Sequence, residues 1–260
     1  MPGTRILSLA AVAALSAAAP YGPGEKMAFS VRYLGLRVGV ATIASLPPEG
    51  GVLPVQLEAK TVGIGSLYKL DERISSALDL ATGLPTRSRL DADEKGRRHA
   101  EITTFDRAAA LATVRREGST KAGGPQVKTD LVPLPPGATD LLALVYRLRV
   151  LPLVPGEHQI FPVLAGNKLR DVEAVVEGRE KLDTDAGTFD TLKIRVPTAF
   201  GGKFQEKHPT LVWLSDDARR IVVRLSTDFS IGQAVAELKS YTPPDRTLSP
   251  GEGGGSAALP

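Results

Sequence analysis

The sequence predicts an all-β, mainly antiparallel protein with one short covering helix. Three observations carry this. Residues 211–225 read LVWLSDDARRIVVRL, two apolar alternating runs around the polar stretch Ser215-Asp216-Asp217-Ala218-Arg219, which is the pattern of a hairpin with one buried face. The same period-two alternation recurs along most of the chain in short runs separated by Gly- and Pro-containing turns. Strands do not alternate with helices as a parallel sheet would require.

Taken in chain order, structure begins near Glu25. Met27, Phe29, Val31 and Tyr33 alternate with Ala28, Ser30 and Arg32 in a first strand, and Gly35 turns the chain. A second strand runs from Arg37 to Leu46 and ends at Pro47-Pro48; a third runs from Leu53 to Val62. Tyr68 to Leu80 reads as a long strand with Leu70, Ile74, Leu78 and Leu80 as its apolar members. Arg87–Ala92, Arg98–Asp106 and Leu111–Arg116 are more polar strands. Their short spacing favours antiparallel meander connections.

One segment has helical period. Thr139 and Asp140 can cap a helix through Leu141, Leu142, Leu144, Val145 and Leu148, with Arg147 and Arg149 in its last turn. Pro133, Pro135 and Pro136 precede it, and Pro152 and Pro155 end it. Leu141, Leu144, Val145 and Leu148 form the expected apolar stripe, facing a sheet or the mouth of a barrel. Strands resume at His158–Val163, Lys168–Glu180, Phe189–Thr198, Thr210–Leu214, Ile221–Ser226 and Gln233–Tyr241. In the Ile221–Ser226 strand, Ile221, Val223 and Leu225 point one way and Arg220, Val222 and Arg224 the other. Asp183–Gly187 and Gly201-Gly202-Lys203 read as hairpin connections. The expected architecture is a strongly curved sheet, a flattened barrel or a sandwich. Residues 25–242 form one antiparallel domain in two halves joined near 133–156. Residues 243–260 form a Pro/Gly-rich tail that is expected to be disordered.

At 260 residues with 42% hydrophobic content, the chain can bury a full core without splitting into domains. Its 32 basic and 29 acidic residues leave a net charge of +3 with no basic cluster, which predicts no nucleic-acid partner. Residues 1–19 read as an export signal: Arg5 is the positive start, Ile6 to Leu15 the apolar core, and Ser16 to Ala19 the small residues for cleavage between Ser16 and Pro20. The apolar run is shorter than the about 20 residues of a membrane span, and no later segment is apolar enough, so no transmembrane segment is expected. Cysteine is absent, which excludes disulfides, thiol chemistry and a lipid-modified N-terminal cysteine. The expected location is the periplasm, as a soluble exported protein.

Motifs that carry chemistry are sparse. Asp216 and Asp217 lie near Trp213, with Arg219 and Arg220 beside them. They could serve as an acid/base pair on a sugar stacked against Trp213, or as a solvated turn in which aspartate caps backbone amides. Adjacent residues in an extended segment point to opposite faces, which suits a facing pair badly. His99, His158 and His208 lie in no short metal-ligand motif. Ser66, Ser215 and Ser230 lack a nucleophile-elbow context. Gly63-Ile64-Gly65 and Gly201-Gly202-Lys203 lack phosphate-loop spacing. No catalytic residue, metal ligand or cofactor is expected. Tyr33, Tyr68, Phe105, Tyr146, Phe161 and Trp213 pack in the sheet core, unless a cavity between sheet and helix makes them ligand-lining.

Four segments together carry a resemblance. They are Gly24 to Tyr33 with Gly39, Thr139-Asp140-Leu141 to Tyr146-Arg147-Leu148-Arg149, Ala186 to Lys193, and Trp213 to Arg220. In this order they resemble a family of exported bacterial proteins, domain of unknown function 3108, over roughly residues 25–238. The resemblance implies a cell-envelope protein with a strongly curved antiparallel sheet, and no activity or catalytic residue transfers with it.

Two functions follow as expectations. The first is a non-catalytic module that binds a lipid, a glycan or an envelope partner protein, with Leu141, Leu144, Val145, Leu148, Tyr146 and Trp213 as candidates for lining a groove. The second is a hydrolase of envelope polysaccharide, supported by Asp216, Asp217, Arg219 and Arg220 around Trp213. The helix either leaves an apolar groove under the curved sheet or completes a dry core.

Overall fold

The computed structural model describes residues 19–67, 69–119, 124–200, 203–228, 232–245 and 247, with side chains from 197 to 208 excepted. The expected export signal therefore lies outside the described residues, save Ala19, as does most of the expected tail and the Gly201-Gly202 turn.

The first half is a meander of eight strands: β1 (Lys26–Tyr33), β2 (Leu36–Ser45), β3 (Val52–Thr61), β4 (Leu70–Asp79), β5 (Pro85–Glu94), β6 (Arg97–Asp106), β7 (Leu111–Ser119) and β8 (Pro125–Pro133). A short 3₁₀ helix, Gly63–Leu67, lies between β3 and β4. Helix α1 (Leu141–Val150) follows β8. The second half is β9 (His158–Ala165), β10 (Lys168–Thr184), β11 (Gly187–Phe200), β12 (Lys203–Ser215), β13 (Val222–Asp228) and β14 (Gln233–Thr242). All fourteen join one sheet in the order β8-β7-β6-β5-β4-β3-β2-β1-β14-β13-β12-β11-β10-β9. Every named strand pair is antiparallel, and the two meanders meet where β1 pairs with β14, Met27 opposite Tyr241 and Val31 opposite Ala236.

The sheet is not closed. Its edges are β8 and β9, and no pairing joins them among the described residues. It nevertheless curls back on itself. Phe105, Ala112, Val114 and Val132 from one limb share a buried cluster with Leu164 from the other, through Leu134 and Ala138. The chain leading into α1 also lies along β9: Thr139 N–H donates to the Pro162 carbonyl (2.9 Å), and Leu164 N–H donates to the Thr139 carbonyl (2.8 Å).

Helix α1 crosses the inner face. At its start, Asp140 accepts from Ser76 on β4 at 2.6 Å; further along, Tyr146 Oη lies 3.1 Å from Ser45 Oγ at the end of β2. The main core packs around it from both limbs, with Met27, Phe29, Ile43, Val55 and Leu78 on one side and Val172, Leu192, Ile194 and Leu238 on the other.

Thirteen strands stand where alternation placed them. β8 was not expected: no strand is read between Arg116 and the helix, where Pro133, Pro135 and Pro136 mark a crossing between two sets of strands. Two orientations also differ from expectation. The helix buries Leu142, Ala143, Leu144, Tyr146, Leu148 and Arg149, while Leu141 and Val145 are only half-buried. A helix inside a curled sheet meets side chains on more than one face, so a single stripe does not describe it. In β13, Val222 and Val223 are both fully buried. A bulge opposite Trp213/Leu214 pairs Leu214 with Val222 and Val212 with Leu225, which breaks strict alternation at Val223.

Candidate functional site

In each antiparallel meander the connections alternate between the two ends of the sheet. One end holds α1, both ends of the folded chain and the Asp216–Arg220 turn. At its centre is a buried ion pair. Arg149, in the last turn of α1, donates to both carboxylate oxygens of Glu25, at 2.7 and 2.6 Å. Both side chains are 0% exposed. The guanidinium also donates to the carbonyls of Arg220 (2.8 Å) and Arg219 (3.2 Å), and its carbon lies 5.3 and 5.4 Å from the ring centres of Tyr21 and Tyr146. Tyr241 Oη donates to Glu25 at 3.2 Å. Burial opposes the charge of Arg149, but the hydrogen bond and charge of Glu25 outweigh it and push its pKa up. Four separate parts of the chain are tied together here. The partners are saturated, which makes this a structural lock rather than a ligand site.

The sequence-predicted residues fall in different places. Leu144, Tyr146 and Leu148 fill the core around the helix, each 2% exposed or less, with Leu141 and Val145 packed against its margin. Trp213 is also buried, 6% exposed, and belongs to the same core cluster. Its strand neighbours are Lys193 on β11 and Arg224 on β13. Their cationic groups lie 5.8 and 5.7 Å from its ring, and its indole N–H donates to Glu180. Asp216 takes ion pairs from Arg179 (2.6 Å) and Arg220 (3.2 Å). Asp217 caps its own turn: it accepts from Arg219 N–H at 2.9 Å, from the Arg219 side chain and from Ser215 Oγ at 2.8 Å. Burial works to raise the Asp217 pKa, but the hydrogen bonds from Arg219 and Ser215 win and hold it below the usual range. The two aspartates thus act as turn and ion-pair residues. Of the histidines, His158 pairs with Glu173 at 2.8 Å; His208 lies outside the described side chains. Among the described residues no three His, Asp or Glu side chains gather as metal ligands.

An open space lies elsewhere, on strands β2 to β7. It is a depression of about 900 Å³ whose lining includes Glu58, Lys60, Asp71, Arg73, Asp91, Asp93, Arg98 and Glu117. Register explains the arrangement. Lys60, Asp71, Asp93 and Arg98 are successive cross-strand partners, and Glu58, Arg73, Asp91, Ala100 and Glu117 form the adjacent row. Being two residues apart along each strand, the two rows share one face. The adjoining residues Leu57 and Ile74 pack on the core from the opposite face. Arg73 bonds Glu58 at 2.6 Å, and Lys69 bonds Asp93 at 3.1 Å. The Lys69 hydrogen bond is the main reason that the Asp93 pKa is lowered. On the inner face of β4, burial and then the charge of Glu94 push the Glu72 carboxyl up. Sequence reasoning missed these rows. The available signal was a charge at every second position in Glu58/Lys60, Asp71/Arg73 and Asp91/Asp93.

These features define a single-sheet, open β-barrel-like protein with one end locked by a helix. The chain belongs to the DUF3108 family, proteins of unknown function, whose model matches residues 28–239. It is similar in fold to a crystal structure of a β-barrel-like protein of the domain of unknown function DUF1849 from Brucella abortus: 9% identity, TM-score 0.56, covering 86% of this chain and 99% of that one. A protein from Bacteroides fragilis described as exported, with a YmcC-like fold, aligns at 10% identity and TM-score 0.31 over 86% of this chain and 97% of its own. A protein from Parabacteroides distasonis described as a lipoprotein aligns at 9% identity and TM-score 0.31, over 86% and 99%. A comparison with curated proteins finds no match. Among the described residues no helix is long and apolar enough to cross a membrane.

Proposed function

We propose that this is an exported, periplasmic, non-catalytic binding module that takes a hydroxyl-rich glycan of the cell envelope in the depression on β2–β7. The carrying observation is the pair of charged cross-strand rows. The carboxylates Glu58, Asp71, Asp91, Asp93 and Glu117 share a rigid sheet face with Lys60, Arg73 and Arg98, and Arg89 and Arg115 on that face pair with Asp91 and Glu117 at 2.6 and 2.7 Å. Carboxylates and guanidinium groups fixed at strand spacing hydrogen-bond sugar hydroxyls in a set geometry, offering both acceptors and donors. Such a lining does not suit an acyl chain. The hydrolase reading has weaker support, because a general acid needs a raised pKa and Asp217 is held the other way.

Titration calorimetry with a β-linked N-acetylglucosamine oligosaccharide tests this. Asp71→Asn with Asp93→Asn keeps side-chain shape and should weaken binding about tenfold. Unchanged affinity in the folded double variant, or no saturable binding at millimolar concentration, would overturn the reading.

A further inference from the structure

The end opposite the helix is a rim of hairpin tips, and its composition is unusual. Of the ten large apolar side chains exposed among the described residues, four lie on two neighbouring connections of this rim: Leu34 (60%), Leu36 (57%), Ile64 (57%) and Leu67 (88%). The two connections are pinned together. Val62 N–H donates to the Val38 carbonyl at 2.8 Å. Gly65 packs so tightly that a Cβ would come within 2.0 Å of the Val38 carbonyl oxygen. The β1–β2 turn places Leu34 at φ 52° and Gly35 at φ 79°. That is a type I′ geometry, which favours Asn, Asp or Gly. Leucine there works against its own backbone preference, so the apolar tip is held at a conformational cost, as functional residues often are. The rim is also cationic. From Tyr33 to Arg37, Thr61 to Asp71 and Asp93 to Arg98, the described residues include the cations Arg37, Lys69, Lys95, Arg97 and Arg98 against the carboxylates Asp71, Asp93 and Glu94, with Lys69 and Arg98 both paired to Asp93.

We propose that this rim docks on an anionic lipid surface. Leu34, Leu36, Ile64 and Leu67 enter the boundary between headgroups and acyl chains, and the surrounding Lys and Arg side chains meet the lipid phosphates. The strands then stand on the membrane with the helix end and both ends of the folded chain directed away. This placement does not depend on the ligand of the depression.

Flotation of the full chain with vesicles of phosphatidylglycerol and phosphatidylethanolamine tests it, with phosphatidylcholine vesicles for comparison. Binding should be stronger to the anionic vesicles and should fall with salt. Leu34→Asn with Leu67→Ser should reduce vesicle binding roughly tenfold while the thermal midpoint stays the same or rises, since Asn suits the turn. Ile160→Glu, at an exposed position on β9 away from the rim, should leave binding unchanged. The N-terminal apolar run is common to all variants, so it cannot produce the difference. Equal flotation of the rim variant and the unaltered chain, or no flotation of either, would overturn the proposal. So would a rim variant that instead changes the oligomeric state without vesicles, which would make the rim a contact between copies.

Discussion

Glu25 and Arg149 stand 124 positions apart in the chain and meet with no exposure at all. Two buried charges are costly to desolvate, and their attraction repays this only when the remaining hydrogen bonds are satisfied. Here the backbone carbonyls of residues 219 and 220, the Tyr241 hydroxyl and two aromatic faces complete the site. Arg149→Met should therefore destabilise the protein by about 3–5 kcal/mol, because it strands the Glu25 carboxylate. Glu25→Leu combined with Arg149→Met should recover most of that loss. Urea denaturation of the three proteins measures it, and equal loss in the single and double variants would show that the charges are not coupled. Neither residue carried a sequence signal for this role. Arg149 reads as a helix-terminal cation and Glu25 as the polar start of a strand; only their meeting gives them a shared function.

At the scale of elements, α1 depends on its cap. Asp140 accepts from Ala143 N–H at 2.8 Å and from Ser76 Oγ at 2.6 Å, so one carboxylate starts the helix and anchors it to β4. Burial is the largest influence and pushes the Asp140 pKa up, against the hydrogen bonds from Ala143 and Ser76 that lower it. A carboxyl whose pKa is higher folded than unfolded favours folding most below the unfolded value, and this contribution is lost as pH rises through the folded value. Asp140→Asn keeps the cap and removes the titration. Its stability relative to the unaltered protein should be better at pH 7 than at pH 4. Asp140→Ala should lose about 1 kcal/mol of capping at either pH. Denaturation midpoints at the two pH values check both, and an advantage of the Asn variant that grows on acidification would contradict the burial argument. The cap and the helix bounds were legible in Thr139-Asp140 and the apolar run after it. The buried face was not, because the helix meets a sheet that curls around it.

Across the whole molecule, an open sheet must protect two edges. Pro125 and Pro133 bound β8, Lys128 and Asp130 share the face of its buried Val132, and Pro162 lies within β9, which Thr139 covers. Prolines and charges at edges discourage pairing with other chains. The folded chain also starts in a defined way. Pro20 accepts a 3.5 Å hydrogen bond from Arg149, and the Tyr21 ring meets Tyr146 edge-on at 4.8 Å. If residues 1–19 direct export, removal must leave Pro20 and Tyr21 in place. N-terminal sequencing of protein from the envelope fraction should find a start between Ser16 and Pro20; an intact Met1 start in the cytosol would refute export.

The sequence by itself determined the local pattern: thirteen of the fourteen strands, the capped helix, the polar hairpin turn of Ser215–Arg219 and an all-β antiparallel class. These follow from period-two alternation and turn chemistry, which act over a few residues. Tertiary structure alone decided that β1 pairs with β14, that β8 is a strand, that the sheet stays open, and that charges from several strands line up beside a rim of leucines. Strand pairing and cross-strand rows join residues distant in the chain, so a one-residue change of register moves every side chain to the other face. No local pattern carries that information.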